Sequence, residues 1–304
     1  MNQLTSTAVF ETRARRGGRS TLLVAATGLT VVLCVGLAHA ADNRKEAKIE
    51  IAPGGSVNIF NGDGSVTLHS APGHQVLVSY VTHSVKVEVD QNSAANNQRV
   101  ELITHALPGQ KPTADEAKVD YDITVPPGVA VSVNTISAPV TADGLSGDIS
   151  LSSETGQMAV SNVAKSHLHL RGMNAPITLK NITNAHIDVQ SSGGAVSLKN
   201  VTGPRVTVGT TNGNIDYSGD CSGGGDYIMT THSGAIDVTL PPTASVDLSA
   251  RSRNGSVEND FPLQEKTHQS FVPTQGRSFA GTSNSGSSSV ELQSFSGKIR
   301  VKKQ

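Results

Sequence analysis

Pairs of apolar residues, each pair separated by one residue, recur at a fixed step through the middle of the chain. They are Met158/Val160, Leu168/Leu170, Ile177/Leu179, Ile187/Val189, Val196/Leu198, Val206/Val208 and Ile215/Tyr217. The steps between first members alternate between 10 and 9, so two strands make one repeat of 19 residues. Other columns keep the same register. Val163, Ile182 and Val201 follow one another at 19, each preceded by an asparagine: Asn162, Asn181 and Asn200. Gly156, Ala175, Gly194 and Gly213 form a column of small residues, and Ser153, Gly172, Ser191 and Thr210 form another.

A chain with this pattern is expected to fold as an all-β, right-handed β-solenoid. Each coil of about 19 residues supplies two short strands, with alternate side chains pointing into a shared apolar core. Each strand pairs with its equivalent one coil along, at the spacing of paired strands, about 4.8 Å. Small residues suit the corners, where the backbone bends sharply. Asn162, Asn181 and Asn200 are expected to stack as an amide ladder at a turn.

The pattern extends both ways with irregularities. Upstream, "APVTADGLSGDISL" (138–151) fits a coil one residue short. Downstream, "CSGGGD" (221–226) inserts a few residues, and the register is read as resuming at Ile228, Ile236, Val246 and Val257. Val290 and Ile299 are again nine apart, and the polar, Ser/Gly-rich residues near 262–289 read as a loop. Residues 48–90 alternate too, with Asn61-Gly62-Asp63-Gly64 expected as a hairpin-like turn. The reading is a β-rich N-terminal cap over 41–125 and solenoid repeats over 126–304.

Residues 1–40 read as a secretory signal peptide: Arg13, Arg15, Arg16 and Arg19, an apolar run from Thr21 to Leu37, then Ala38-His39-Ala40. An uncleaved N-terminal anchor is the alternative, and only then is membrane contact expected. The location implied is exported: periplasm, outer surface or extracellular. The whole chain carries 24 Lys+Arg and 25 Asp+Glu. Removal of residues 1–40 takes four arginines and Glu11, leaving 20 against 24, or about −4. That sign argues against nucleic acid as a partner. The absence of tryptophan and 3% aromatic residues argue against base-stacking platforms. Cys221 alone would remain after cleavage, so no intramolecular disulfide is expected.

Two stretches, "ITVPPGVAVSVNTISAPVTADGLSGDISL" and "SGAIDVTLPPTASVDLSARSRNGSVENDFPL", resemble the bacterial putative-adhesin family of exported proteins. The shared elements are Leu240-Pro241-Pro242-Thr243-Ala244, Asp260-Phe261-Pro262, and the unit starts Asn212-Gly213, Ser233-Gly234 and Asn254-Gly255. The resemblance covers roughly residues 50–300. It implies a β-helical fold and a periplasmic or cell-surface location, without an established activity.

With Leu168 and Leu170 inward, His167, His169 and Arg171 of "SHLHLRG" point outward. One coil later, His186 falls beside His167 and Asp188 beside His169. Three imidazoles and a carboxylate are a competent donor set for Zn²⁺ or Cu²⁺. The plainer reading, a polar outer strand face, is preferred, because a flat sheet rarely gathers four ligands into a tetrahedron. Asp148 and Arg205 continue the column. Asp216 and Asp237 both follow core isoleucines, and as stacked carboxylates they suit Ca²⁺ or acid/base work. Lys180 and Lys199 read as solvation.

The leading functional reading is a non-enzymatic exported solenoid, an adhesin or surface-interaction protein whose partner is a surface glycan or envelope protein. A resident cofactor is not expected, nor a catalytic residue. The rival readings are an envelope-signalling or scaffold component and a glycan-active β-helix enzyme.

Overall fold

The computed structural model describes residues 43–94, 96–221, 223–265 and 274–304. The leader expected over residues 1–40 lies outside the described residues. The described chain is all β: twenty-five strands in one sheet of twelve and one of thirteen, with no helix among the described residues. The two sheets share one apolar core, and through the repeats successive strands alternate between them, so that each coil gives one strand to each sheet.

The 19-residue repeat is the register of the ladders. Ile177 lies beside Val196 and Leu179 beside Leu198 in the twelve-stranded sheet. Leu168 lies beside Ile187 and Leu170 beside Val189 in the thirteen-stranded sheet. Leu168, Leu170, Leu179 and Leu198 are fully buried, as period-2 alternation on stacked parallel strands requires.

Corners are built by two devices. Asn162, Asn181 and Asn200 adopt left-handed backbone at φ 56°, 55° and 54°, a region that asparagine tolerates better than most side chains. Their amides form the expected ladder: Asn200 donates to Asn181 at 3.3 Å, Asn181 to Asn162 at 3.2 Å, and Asn162 to Asp143 at 2.7 Å. Asp143 also accepts from Ser161, and these two donors hold its carboxyl below the usual range. At another corner a hydroxyl closes the bend: Ser191 donates to the Gly194 carbonyl at 2.8 Å and Thr210 to that of Gly213 at 2.6 Å. Glycine is required there by close approach. A Cβ on Gly194 or Gly213 would overlap the carbonyl oxygen of the coil before it.

The two ends depart from sequential stacking. Near the C-terminus, Ser288–Ser294 lies between Gly225–Thr231 and Val246–Ser252, parallel to both. Ile299–Lys303 likewise lies between Ile236–Leu240 and Val257–Asn259. The last coil is thus inserted between two earlier ones. Near the N-terminus, Ser56–Asn61 pairs with Arg99–Ala106 on one side and Ala130–Thr135 on the other. Gly64–Ser70 sits in the same way between Val119–Val125 and Val140–Asp143. The first coil is inserted between two later ones.

Antiparallel strands then cover the outermost coils at three of the four sheet ends, while Val257–Asn259 is itself the last strand of the twelve-stranded sheet. Val87–Ser93 lies on Arg99–Ala106, and Gln75–Thr82 followed by Arg44–Glu50 lies on Val119–Val125. At the other end Ser278–Ser283 lies on Val246–Ser252, with Gln264–Glu265 beyond it. Stacked strands leave unpaired backbone at each end, and such cover blunts those edges.

Four expectations are corrected by this arrangement. The segment near 262–289 is not simply a loop: part of it is the capping strand Ser278–Ser283, while residues 266–273 lie outside the described residues. Asn61–Gly64 does not close a hairpin, because the strands it joins belong to different sheets; it is a coil corner. After the Gly-rich insertion, Tyr227 and Met229 point inward rather than Ile228, a shift of one residue that moves every side chain to the other face. Val246 and Val257 do not follow directly on the coil of Ile236, since the C-terminal coil lies between.

Cys221 is buried and free, donating weakly to the Tyr217 hydroxyl at 3.4 Å, which in turn donates to the Val201 carbonyl at 2.8 Å. Burial pushes the thiol up to about 12, so it remains an inert protonated group.

Candidate functional site

Because each strand lies one coil from its equivalent, outward side chains of the thirteen-stranded sheet form columns across the stack. One runs Asp148, His167, His186, Arg205, Asp226; the next runs Ser150, His169, Asp188, Thr207, Ile228. His167, His169, His186 and Asp188 are therefore brought together in the two-by-two patch that the sequence gives.

Within it the groups associate in pairs. His167 Nδ1 lies 2.9 Å from Asp148, and His169 Nδ1 lies 3.7 Å from Asp188. The His167 and His186 rings stack at 5.0 Å with 23° between planes. Among the described residues no group of three or more His, Cys, Asp and Glu is placed to hold a metal ion. The patch floors a shallow depression of about 400 Å³, whose walls include Arg205 and Thr207.

That depression does not stand alone. A second, of about 670 Å³, shares Asp188 and Thr207 with it and runs between Arg171, Gln190 and Thr211. A third, of about 580 Å³, shares Thr210 and Thr230 with the second. Together they form a trough along the outer face of one sheet, lined mostly by hydroxyl, amide and charged side chains.

The far end of the trough has a composition that sequence reasoning missed. His232, Phe295 and Arg253 stand on three adjacent coils at one corner, just beyond the paired residues Thr231, Ser294 and Ser252. The His232 and Phe295 rings stack at 4.7 Å with 6° between planes, and the Arg253 guanidinium lies 5.5 Å from the Phe295 centroid. Phe295 is 39% exposed. Residues 232, 253 and 295 hold the same corner position at steps of 21 and 42, which does not give their order in the stack, 232–295–253. Insertion of the C-terminal coil is what places Phe295 between His232 and Arg253.

On the twelve-stranded sheet, Asp216 and Asp237 are stacked neighbours despite the insertion between them. Asp237 is not a free acid. Burial raises its pKa, but Arg300, arriving on the inserted coil, outweighs burial by donating Nη2 to Oδ2 at 2.7 Å and Nε to Oδ1. The carboxyl is held below its ordinary range, and Lys302 stands 3.7 Å away. A carboxylate clamped by a guanidinium fork is a poor general acid or base at neutral pH. Lys180 and Lys199 are exposed and adjacent, as solvating residues should be.

Residues 56–302 match the Toastrack DUF4097 family. No curated protein matches the chain. Three solved structures are similar at low identity. One is a putative cell adhesion protein from Clostridium sporogenes, at 14% identity over 86% of this chain and 100% of that one, with a TM-score of 0.28. A putative adhesin from Bacteroides fragilis is 11% identical over 85% and 96%, with a TM-score of 0.46. A putative adhesin from Parabacteroides merdae is 12% identical over 86% and 96%, with a TM-score of 0.37. The chain is a β-solenoid and belongs to the Toastrack DUF4097 family.

Proposed function

We propose that this is an exported, non-enzymatic adhesin-like protein that binds a surface glycan in the trough of its thirteen-stranded sheet. The observation that carries the reading is the continuity of that trough across successive coils through Asp188 and Thr207, then Thr210 and Thr230. Outward groups recur about 4.8 Å apart across strands and about 6–7 Å along them, a lattice of donors and acceptors suited to an extended polyol. Hydroxyl, amide and charged groups of this kind orient a ligand by hydrogen bonds. A non-enzymatic role is supported by the occupation of the best-placed carboxylate pair, where Arg300 clamps Asp237. The His83 and His167 rings bond carboxylates, Asp120 and Asp148, rather than a hydroxyl or thiol. Export is supported by the leader-like character of residues 1–40.

The test is a glycan array probed with the full chain, beside Gln190→Trp, which fills the middle of the trough, and Lys199→Trp on the opposite sheet. Gln190 and Lys199 are both exposed, so neither change should unfold the chain. Binding to surface glycans that falls at least tenfold in Gln190→Trp and persists in Lys199→Trp is the expected result. Absence of glycan binding, or equal loss in both variants, overturns the reading and favours an envelope protein as partner.

A further inference from the structure

We infer that Arg251, Arg253, His232 and Phe295 form a subsite for a carboxylated sugar at the C-terminal end of the trough, which rests on the glycan-binding reading above. The chain as a whole carries slightly more acid than base, yet neither aspartate nor glutamate lines this depression. Arg251 and Arg253 are exposed, two residues apart on one strand and its corner, and so lie on the same side of the sheet. Neither forms an ion pair with another described residue.

Arg253 is not a freely moving surface charge. Its guanidinium stands over Phe295, whose other neighbour in the stack is His232. The ring holds the guanidinium carbon 5.5 Å from its centroid and accepts no conventional hydrogen bond, so the N–H groups remain for a ligand. Such planar donors match a carboxylate in bidentate geometry, and stacking reduces the rotamer entropy lost on binding. Thr210, Thr230 and Gln293 border the same depression and supply neutral partners for sugar hydroxyls. Gln293 also donates to Glu291, which anchors the side chain.

The lining favours a glycan over an acidic peptide. On this face the backbone groups are consumed by parallel ladders on both sides of the C-terminal strand, so a peptide cannot add by main-chain pairing. From the basic end the trough continues past the neutral Thr210 and Thr230, which suits a chain whose acidic unit is followed by a neutral one.

The experiment presents uronate- and sialate-bearing oligosaccharides, each beside its methyl ester, and poly-glutamate to the full chain. Free acids should bind at least about tenfold more tightly than their esters, the loss expected when a charged hydrogen-bond partner is removed. Arg251→Gln and Arg253→Gln should each erase most of that preference, with an unchanged melting temperature showing that the exposed positions still fold. Arg253→Lys should recover it only in part, because the charge returns without the planar fork. Phe295→Leu should weaken it while leaving every charge in place. If esters and acids bind alike and the arginine variants change nothing, the subsite is refuted while glycan binding in the trough stands. If no oligosaccharide binds, both fail. Arginine-dependent capture of poly-glutamate with equal strength would assign the basic end to an acidic peptide instead.

Discussion

The middle of the solenoid and its two ends solve the same stacking problem differently. Between residues 130 and 218 each coil lies on the one before it, and the ladders are the repeat written in space. At the ends the chain leaves its own order, with residues 56–70 and 288–303 each lodged between two coils distant in sequence. A sequential stack would end in a terminal coil held on one side only, free to fray. Insertion holds the first and last coils by parallel pairing on both sides and leaves the outer strands to be covered by antiparallel ones at three of the four sheet ends. The insertions also close long loops, which delays folding because such contacts cost chain entropy before they stabilise anything. The ends therefore combine long loop closure with structural closure, and the C-terminal one also assembles the His232–Phe295–Arg253 stack.

The largest expected effect comes from removing an inserted coil. Truncation after Ser283 deletes strands Ser288–Ser294 and Ile299–Lys303 and strips a partner from four others. Hydrogen exchange should show loss of protection over residues 225–259, while the central coils around 158–201 stay protected for longer. Uniform loss of protection throughout would mean that the ends and the middle form one cooperative unit.

Substitution in the middle separates inward from outward positions. Leu198→Asp places an unpaired charge in a fully buried site and should cost about 4 kcal/mol or more, measured by urea unfolding. Ser197→Asp, one residue away and outward, should change stability by about 0.5 kcal/mol or less. Equal damage from both would contradict the assigned register.

At the corners, Asn181→Ala breaks both ladder bonds and puts alanine in left-handed backbone, for a loss of about 1–3 kcal/mol. Asn181→Gly relieves the backbone and loses only the ladder, so it should cost less. A larger cost for glycine would mean that the ladder contributes little beyond holding the chain stiff.

Acid tests the C-terminal insertion through Asp237. Its carboxyl is lower in the folded chain than in the unfolded one, so its contribution is complete above the ordinary carboxylate value, about 4. That contribution is lost as pH falls towards the folded value. The melting temperature of the natural chain should fall more between about pH 5 and 3 than that of Asp237→Asn, which starts lower and lacks this titration. Parallel curves would show that the Arg300 fork does not stabilise the insertion.

The smallest effect is expected at the histidine patch. His167 and His169 already face Asp148 and Asp188, so Zn²⁺ at about 100 μM, weak against ordinary protein metal sites, should leave the melting temperature unchanged. A rise that disappears in His167→Ala/His186→Ala would establish a metal site there.

Legibility in the sequence divides along the same line. The central register, the Asn162–Asn181–Asn200 ladder and the His167/His186 and His169/Asp188 pairings all follow from one period, because neighbours in space are 19 apart in sequence. The positions of 56–70 and 288–303 do not follow. "SFSGKI" (294–299) has the same hydroxyl-to-glycine corner as "THSGAI" (231–236), and Ser294 bonds the Gly297 amide as Thr231 bonds that of Gly234. That corner identifies a coil without indicating which slot it fills. The slot is decided by long-range packing, and the basic, aromatic end of the trough was hidden with it. The Ile228 expectation fails for a local reason: the Gly-rich insertion shifts parity, and Tyr227, Ile228 and Met229 are consecutive apolar residues among which a period of two does not choose.

The order of the last coils can be measured directly by cysteine pairing in a Cys221→Ser background. Ile228 lies beside Glu291, and Glu291 beside Ser249, so Ile228 and Ser249 are separated by an intervening strand. Adjacent strands stand about 4.8 Å apart and alternate ones about 9.6 Å, while a disulfide needs Cα atoms within about 7 Å. Ile228→Cys/Glu291→Cys and Glu291→Cys/Ser249→Cys should therefore oxidise readily to an intramolecular disulfide, and Ile228→Cys/Ser249→Cys should not. Rapid crosslinking of Ile228→Cys/Ser249→Cys, with none through position 291, would mean that the coils stack in sequence order and that the C-terminal coil is not inserted.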